Sequence, residues 1–196
     1  LQEACRQLKI WHTQGLAFVP VAVNLSALEF RQPDVAADIA QVLQNSGLEP
    51  RYLDIELTES VLMHNASQGL ATLHALKALG VGISIDDFGT GYSSLSYLKR
   101  YPIDKLKIDR SFVMDTPGSS EDVAIVTAII QMGRSLQLLT VAEGVETAEQ
   151  IALMQSLGCD LGQGHGLSLP MDATQATAWM QARQQADPAA WTCASR

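Results

Sequence analysis

Patterns typical of β-strands and α-helices alternate along this 196-residue chain, and the alternation limits the possible fold more than any other feature. Six short apolar runs are each followed by a segment in which apolar residues recur at helical spacing. The connections are only a few residues long, which favours parallel strands joined by right-handed crossovers. The predicted strands are residues 18–25, 52–57, 81–85, 105–108, 138–142 and 160–164. The predicted helices are residues 1–14, 35–44, 67–79, 121–136, 148–157 and 173–183, with a short helix near residues 95–98.

Six strand–helix units with acidic residues at the strand ends favour a TIM-like (β/α) barrel over an open sheet. A complete barrel has eight units and about 250 residues, so we expect this chain to form a barrel that lacks its front. We assign residues 1–185 to the partial barrel and residues 186–196 to a loose C-terminal tail. Because the chain opens on Leu1 within a helical pattern, we expect it to be part of a longer protein.

The composition excludes several classes of protein. The chain is 47% hydrophobic and 17% charged, which is typical of a folded domain, and no apolar run approaches the roughly 18 residues of a membrane span. A net charge of −8 argues against a nucleic-acid partner, whose binding surface would be basic. No signal peptide is visible, and Cys5, Cys159 and Cys193 form no CxxC pair. These features predict reduced thiols and a cytoplasmic location.

Two adjacent carboxylates, Asp86 and Asp87, follow the third predicted strand and lead into a glycine-rich turn. Neighbouring side chains on a strand point to opposite faces, so two adjacent acids serve one site only where the strand ends. Side-by-side carboxylates repel each other unless a cation lies between them, and a divalent metal is the obvious candidate there. The alternative interpretation is a strand-end turn in which an aspartate caps backbone N–H groups.

Polar side chains follow the other predicted strands too, and the carboxyl ends of parallel strands meet at the barrel rim where catalytic residues gather. Amide and carboxylate oxygens without His or Cys suit Mg²⁺ or Mn²⁺ rather than Zn²⁺. The carboxylates are too many for one ion, so we expect two metals bridged by one aspartate, an arrangement suited to phosphate-ester displacement. The strand-end residues are Asn24, Glu56, Asp86, Asp87, Lys107, Asp109, Glu143, Glu146 and Gln163.

Individual members of this set have simpler interpretations. Lys107 would orient the attacking water or meet phosphate charge, but with Asp109 it could instead form a salt bridge on the rim. Glu59 could brace the neighbouring loop rather than bind a metal. Glu146 could be a charge at a helix N-terminus that interacts with the helix dipole. The joint pattern favours a site, because independent accidents at five successive strand ends are improbable.

Six motifs, in this order, resemble those of the EAL-domain cyclic di-GMP phosphodiesterases. The resemblance covers roughly residues 1–183. It implies a TIM-like barrel with one antiparallel strand, which hydrolyses cyclic di-GMP to linear pGpG with Mg²⁺ or Mn²⁺. The motifs are Val-Asn-Leu-Ser at residues 23–26, Glu-Leu-Thr-Glu at 56–59, Asp-Asp-Phe-Gly-Thr-Gly-Tyr-Ser-Ser at 86–94, Lys-Ile-Asp at 107–109, Glu-Gly-Val-Glu at 143–146 and Gln-Gly at 163–164.

The resemblance implies a role for each matched residue. The implied metal ligands are Asn24, Glu56 and Asp86 for one ion and Asp86, Asp87 and Glu143 for the other. Lys107 resembles the family's water-positioning lysine and, with Asp86 and Glu143, makes up the implied catalytic set. The implied supporting or substrate-binding residues are Asp109, Glu59, Glu146 and Gln163. Glu59 resembles the glutamate that steadies the loop after Asp87.

The chain departs from the family's pattern in two places. The Glu-Ala-Leu strand that gives the family its name is absent, so we expect one metal ligand to be missing. We also expect an open barrel edge that leaves the isolated chain poorly folded or associated. His165 and Leu169 stand where the family often has an aromatic residue and an arginine, which affects the expected substrate contacts.

The resemblance also implies partners for the chain. They are cyclic di-GMP, a second copy of the chain that contacts the loop after Asp87 and residues 93–97, and upstream sensory or GGDEF-type domains. A membrane anchor could lie in the parent protein. Two functions compete with hydrolysis of cyclic di-GMP. One is an inactive module that binds cyclic di-GMP or a protein, and the other is a metal-dependent barrel that acts on a different phosphodiester.

Overall fold

Six strands form a single sheet in which every strand is parallel to its neighbours and lies in chain order. The computed structural model describes residues 1–16, 20–63, 66–91 and 98–186. The sheet curls into a half-barrel, which confirms the predicted partial TIM-like barrel. The antiparallel strand that the resemblance implies is not among the six strands of the described residues. The strands are β1 (Val21–Asn24), β2 (Leu53–Thr58), β3 (Gly82–Phe88), β4 (Lys105–Ile108), β5 (Leu139–Glu143) and β6 (Leu161–Gln163).

Helices connect the strands, and the long ones begin and end close to the predicted positions. Three short helices, at Ala27–Phe30, Glu59–Met63 and Arg110–Val113, were not predicted, because four or five residues are too few to show a helical period. The short helix predicted near residues 95–98 lies almost wholly outside the described residues. None of the helices in the described part of the chain has both the length and the apolar character that crossing a bilayer requires. The helices are α1 (Gln2–Thr13), α2 (Ala27–Phe30), α3 (Val35–Ser46), α4 (Glu59–Met63), α5 (Ala66–Leu79), α6 (Arg110–Val113), α7 (Ser120–Ser135), α8 (Ala148–Leu157) and α9 (Ala173–Ala186), with a 3₁₀ turn at Pro50–Tyr52.

Local capping residues explain where α8 begins and ends. The Thr147 hydroxyl accepts a hydrogen bond from the Gln150 backbone N–H, and the Gln150 side chain accepts one from the Thr147 N–H. This reciprocal pair is a capping box. The helix ends at Gly158, which has a left-handed backbone conformation with φ of +78° that glycine adopts without steric cost. The cap at Gly158 ends α8 three residues before β6 begins at Leu161.

Alternate residues of the strands separate an apolar face from a polar face. Leu53, Ile55 and Leu57 of β2 are buried in the same apolar core as residues of α3 and α5. Asp54 and Glu56 of the same strand lie on the opposite face, because successive strand side chains alternate. Both acids are nevertheless buried, so the interior of the half-barrel is polar and needs internal charge compensation.

A buried ion pair occupies this polar face one layer beneath the rim. Lys105 Nζ pairs with Asp54 Oδ2, and Ser84 Oγ donates a hydrogen bond of 2.9 Å to the same oxygen. Asp54 and Ser84 are almost completely buried, and the Lys105 side chain is only 16% exposed. Asp54, Ser84 and Lys105 are named the lower polar layer below. The layer binds β2, β3 and β4 together through their side chains.

The lower polar layer should be necessary for stability. Replacing Lys105 with Met should lower the free energy of unfolding by about 3–5 kcal/mol, because Asp54 would remain as a buried carboxylate without its cation. Urea unfolding followed by circular dichroism measures the change. Lys99, which is exposed, provides the control, and Lys99→Met should stay within about 0.5 kcal/mol of the wild type. Equal losses at the two lysines would show that the ion pair contributes nothing.

Candidate active site

The two adjacent aspartates lie within β3 rather than after it, so the predicted strand end at residue 85 is wrong. β3 continues to Phe88, and its pairing with β4 shifts register between Ile85 and Phe88. Asp87 has a φ of +53°, a left-handed conformation that breaks the alternation of side chains. As a result, both aspartates serve the same site. One carboxylate oxygen from each of Asp86, Asp87 and Glu143 lies within 4.8 Å of the others.

Lys107 is the buried cation at the centre of the site. Its Nζ lies 2.9 Å from Glu56 Oε2, 3.1 Å from Asp86 Oδ1 and 2.7 Å from Glu143 Oε1. The residue is only 4% exposed, and the three acids come from β2, β3 and β5, which brings four strand ends to one point. The alternative interpretation paired Lys107 with Asp109. In the structure Lys107 contacts the three acids instead, and Asp109 caps a helix.

The ion cluster changes the protonation behaviour of its members. Burial alone would lower the pKa of Lys107, but hydrogen bonds to Glu143 and Glu56 outweigh it and raise that pKa well above its usual value. Burial raises the pKa of Glu143, and the carboxylates of Asp86 and Glu56 raise it further, although Lys107 opposes the change. Lys107 therefore stays protonated throughout the neutral range and acts as a hydrogen-bond donor.

Asp109 extends the acid cluster on the side of β4. Its Oδ1 accepts a hydrogen bond of 2.9 Å from the Ser111 N–H and so caps the N-terminus of α6. Burial raises the pKa of the Asp87 carboxyl, and the nearby charges of Asp86 and Asp109 raise that pKa further. One lysine thus faces an excess of carboxylates, and the donor set consists of hard oxygens. This excess and this chemistry fit divalent cations such as Mg²⁺ or Mn²⁺.

Asn24 and Gln163 mark the two outer strands at the same rim. Asn24 ends β1 and pairs in register with Glu56, whereas Gln163 ends β6 and pairs in register with Glu143. Both side chains are exposed because each lies on an edge strand of the half-barrel. The structure therefore places the two predicted residues beside the acid cluster, one at either end.

Glu59 contacts the loop that follows Asp87. Its Oε2 accepts a hydrogen bond of 3.1 Å from the Gly89 N–H, and the residue is only 3% exposed. The loop also comes close at Gly91, where an added Cβ would lie 2.7 Å from Glu59 Oε1. That oxygen is buried and has no hydrogen-bond partner among the described residues. Glu59 is thus placed to hold the loop rather than to reach the acid cluster.

Glu146 is bound to a residue that sequence reasoning missed. Its Oε1 lies 2.8 Å from Arg110 Nη2, so its charge is paired across the rim with the first residue of α6. The Arg110 stem packs against Gly144, where an added Cβ would lie 2.3 Å from Arg110 Cγ. Gly144 has a φ of +67°, and the signal for this contact in the sequence is the glycine directly after Glu143.

A spacing of two residues could have revealed the lower polar layer. Asp54 precedes Glu56, and Lys105 precedes Lys107, each by two positions on a strand, so each pair shares a face. The two acids lie on β2 and the two lysines on β4, on either side of β3, so opposite charges at both levels indicate two stacked ionic layers. The last residue of each predicted strand indicates only the upper layer, because Asp54 and Lys105 lie two residues further back.

Comparison with known proteins identifies the family. The model of the EAL domain matches residues 1–170, and the chain belongs to the EAL domain family. It is 50% identical over 175 residues to the bifunctional diguanylate cyclase/cyclic di-GMP phosphodiesterase MucR of Pseudomonas aeruginosa, which covers 89% of this chain and 26% of MucR. It is 46% identical to the cyclic di-GMP phosphodiesterase NbdA of the same organism over 87% of this chain and 22% of NbdA. The chain thus spans about a quarter of the length of these relatives.

Solved structures show the same fold. The MucR phosphodiesterase in complex with c-di-GMP superposes with a TM-score of 0.87 at 50% identity, covering 89% of this chain and 71% of that one. A manganese/cyclic di-GMP complex of BlrP1 from Klebsiella pneumoniae superposes with a TM-score of 0.73 at 34% identity, covering 83% of this chain and 42% of that one. The predicted EAL-type fold is therefore confirmed.

Removal of Lys107 should make stability strongly dependent on pH. Without its ammonium, Lys107→Met leaves one buried and two half-buried carboxylates uncompensated, so the metal-free variant should lose about 3–5 kcal/mol of unfolding free energy at pH 7. The pKa of the Glu143 carboxyl is raised by folding, so this group binds more protons in the folded than in the unfolded state. The free energy of unfolding therefore falls as the pH rises from the unfolded-state pKa to the folded-state pKa. The deficit should therefore shrink on acidification.

Urea unfolding of the wild type, Lys107→Met and Lys99→Met between pH 4.5 and pH 8, in buffer that contains a chelator, measures this dependence. These pH limits span about the range in which carboxyl groups of raised pKa titrate. The exposed Lys99→Met variant should differ from the wild type by a constant amount. A deficit in Lys107→Met that stays constant or grows toward acid pH would contradict the prediction.

Proposed function

We propose that this chain is the catalytic part of a phosphodiesterase that hydrolyses cyclic di-GMP to linear pGpG with Mg²⁺ or Mn²⁺. The observation that carries the proposal is the cluster of Asp86, Asp87 and Glu143 beside the buried Lys107 ammonium. Relatives named as cyclic di-GMP phosphodiesterases and solved complexes with c-di-GMP support the choice of substrate. The Mn²⁺ complex of BlrP1 supports a divalent cation.

The residues that would hold two cations divide into two overlapping sets. Asp86, Asp87 and Glu143 would hold one ion, and Asn24 and Glu56 would hold the other together with Asp86. When bound, such ions supply an activated water and neutralise charge on the phosphate. Cyclic di-GMP carries a negative charge on each of its two phosphodiesters, so an acid cluster without added cations would repel it. Binding of substrate and of metal should therefore depend on each other.

Lys107 acts as a donor in this proposal. Its high pKa keeps the ammonium charged, so it cannot remove a proton from water at neutral pH. The contacts with Glu56, Asp86 and Glu143 fix its direction, and its N–H groups can hold the attacking water or an unesterified phosphate oxygen. Water adds to phosphorus and the P–O3′ bond breaks. One proton of the water is transferred to the leaving O3′, so the product has a 5′-phosphate and a free 3′-hydroxyl.

Further parts of the proposal concern the parent protein. We propose a cytoplasmic protein that has sensory or GGDEF-type domains, since MucR is also named as a diguanylate cyclase and is about four times as long as the matched segment. We also propose a homodimer. The predicted contact at residues 93–97 lies outside the described residues, so dimerisation through them stays a prediction.

Substitution of Asp86 tests the proposed function. Asp86→Asn should reduce kcat/KM for cyclic di-GMP by at least about 100-fold. Mutation of a residue that only hydrogen-bonds to a metal ligand already lowers activity by up to about 100-fold, and Asp86 is a proposed ligand itself. Separation of pGpG from cyclic di-GMP by ion-pair chromatography measures turnover. Chelator should abolish turnover by the wild type, and Mg²⁺ or Mn²⁺ should restore it.

Asp115→Asn is the matched control, because Asp115 is an exposed aspartate outside the site and should keep wild-type turnover. Turnover that survives in Asp86→Asn, or that is indifferent to chelator, would refute a metal-dependent mechanism at this cluster. If the wild type binds cyclic di-GMP in a calorimeter but forms no pGpG, the chain is a binding module instead.

A further inference from the structure

Gln150 is a buried side chain that joins two rim segments on either side of the acid cluster. The residue is only 4% exposed although it is an amide. Its Oε1 accepts hydrogen bonds from the Glu146 N–H at 2.7 Å and the Thr147 N–H at 3.0 Å. Its Nε2 donates to the Val113 carbonyl at 3.2 Å and to the Met114 carbonyl at 3.0 Å. A glutamine amide has two N–H donors and two acceptor positions, so the full capacity of this side chain is used.

The donor end of Gln150 fixes the short helix α6. A helix of four residues is too short to be stable by itself, and its last carbonyls have no partners within the helix. Gln150 supplies donors to those carbonyls, whereas Asp109 caps the other end of α6. Asp109 directly follows the end of β4, two residues after Lys107, and its charge lies near Asp87. The position of Asp109 therefore depends on where Gln150 holds the end of α6.

The acceptor end of Gln150 fixes the turn after β5. Glu146 and Thr147, the donors to Oε1, follow Glu143 by three and four residues. Gly144 lies between Glu143 and Glu146, and its left-handed conformation and close contact with the Arg110 stem leave no room for a side chain at that position. The direction of Glu143 is thus tied to the same amide that holds α6.

We infer that Gln150 is a positioning residue that sets the separation between the Asp87–Asp109 side and the Glu143 side of the site. Gln150 acts on the site through the backbone, because its side chain hydrogen-bonds to main-chain groups of residues 113–114 and of residues 146–147. The part of this inference that concerns metal affinity rests on the proposed function. The part that concerns the two rim segments does not.

Two variants separate the two ends of the amide. Gln150→Glu keeps oxygens that accept from residues 146 and 147 but places a carboxylate against two carbonyls, so only the contact with α6 is lost. Gln150→Met has a similar length and loses both contacts. Gln155 is an exposed glutamine of the same helix, so Gln155→Glu and Gln155→Met are the matched controls. Met154→Ala, a core substitution on α8, provides a variant that is destabilised without loss of these hydrogen bonds.

Hydrogen exchange of the metal-free chain tests the rim segments. Gln150→Glu should accelerate exchange of residues 110–116 by about fivefold, since one or two hydrogen bonds are lost, and should leave residues 145–148 protected. Gln150→Met should accelerate exchange in both segments by a similar factor. Wild-type exchange in both segments of Gln150→Met would overturn the inference. The inference would also be overturned if Met154→Ala accelerated exchange in the same two segments by the same factor as Gln150→Met. General destabilisation of the chain would then explain the result.

Titration with Mn²⁺ tests the consequence for the site. In Gln150→Met, the Mn²⁺ concentration that half-saturates binding, followed by electron paramagnetic resonance, should rise about tenfold. This half-saturating concentration should not change in the Gln155 variants or in Met154→Ala at temperatures where all variants are folded. An unchanged half-saturating Mn²⁺ concentration in Gln150→Met would overturn the inferred role of Gln150 in the site. If the wild type binds Mn²⁺ but does not hydrolyse cyclic di-GMP, the proposed function fails while both tests of Gln150 still decide its role.

Discussion

The contact between the Lys107 ammonium and three carboxylates from three other strands is the interaction on which the half-barrel interior depends. Without the lysine, the three carboxylates would repel one another, and either the strand ends would separate or some of the carboxylates would become protonated. One lysine removes most of that repulsion and leaves further carboxylates uncompensated at the rim. The same arrangement therefore holds the strands together and creates the demand for additional cations.

The polar interior consists of two layers with different purposes. In the lower layer, one lysine balances one acid, because Lys105 pairs with Asp54, and Ser84 donates a hydrogen bond to the same carboxylate. In the upper layer, acids outnumber the single lysine, and the surplus faces the open rim. A displacement of two residues along β2 or β4 therefore separates the balanced ion pair of the lower layer from the acid-rich cluster of the upper layer.

Sequence patterns predicted the strands and the long helices well, because apolar runs and helical spacing record which residues must be buried. The convergence of Asn24, Glu56 and Glu143 followed from parallel strands, whose carboxyl ends meet wherever the loops run. The alternation of apolar and polar residues could not predict the register shift in β3, because the extra residue of a bulge has no sequence signal of its own. Nor could they link Gln150 to Val113, because a hydrogen bond across 37 residues leaves no local trace.

Asp87 shows how chemistry and folding conflict at one backbone position. Its left-handed conformation is uncommon for any residue with a side chain, and glycine would adopt it more readily. Glycine would also remove a carboxylate that repels Asp86, so the folded chain should be easier to form with glycine there than with aspartate. A computational redesign that rewards only thermal stability would therefore select against this aspartate and return a sturdier barrel without its chemistry.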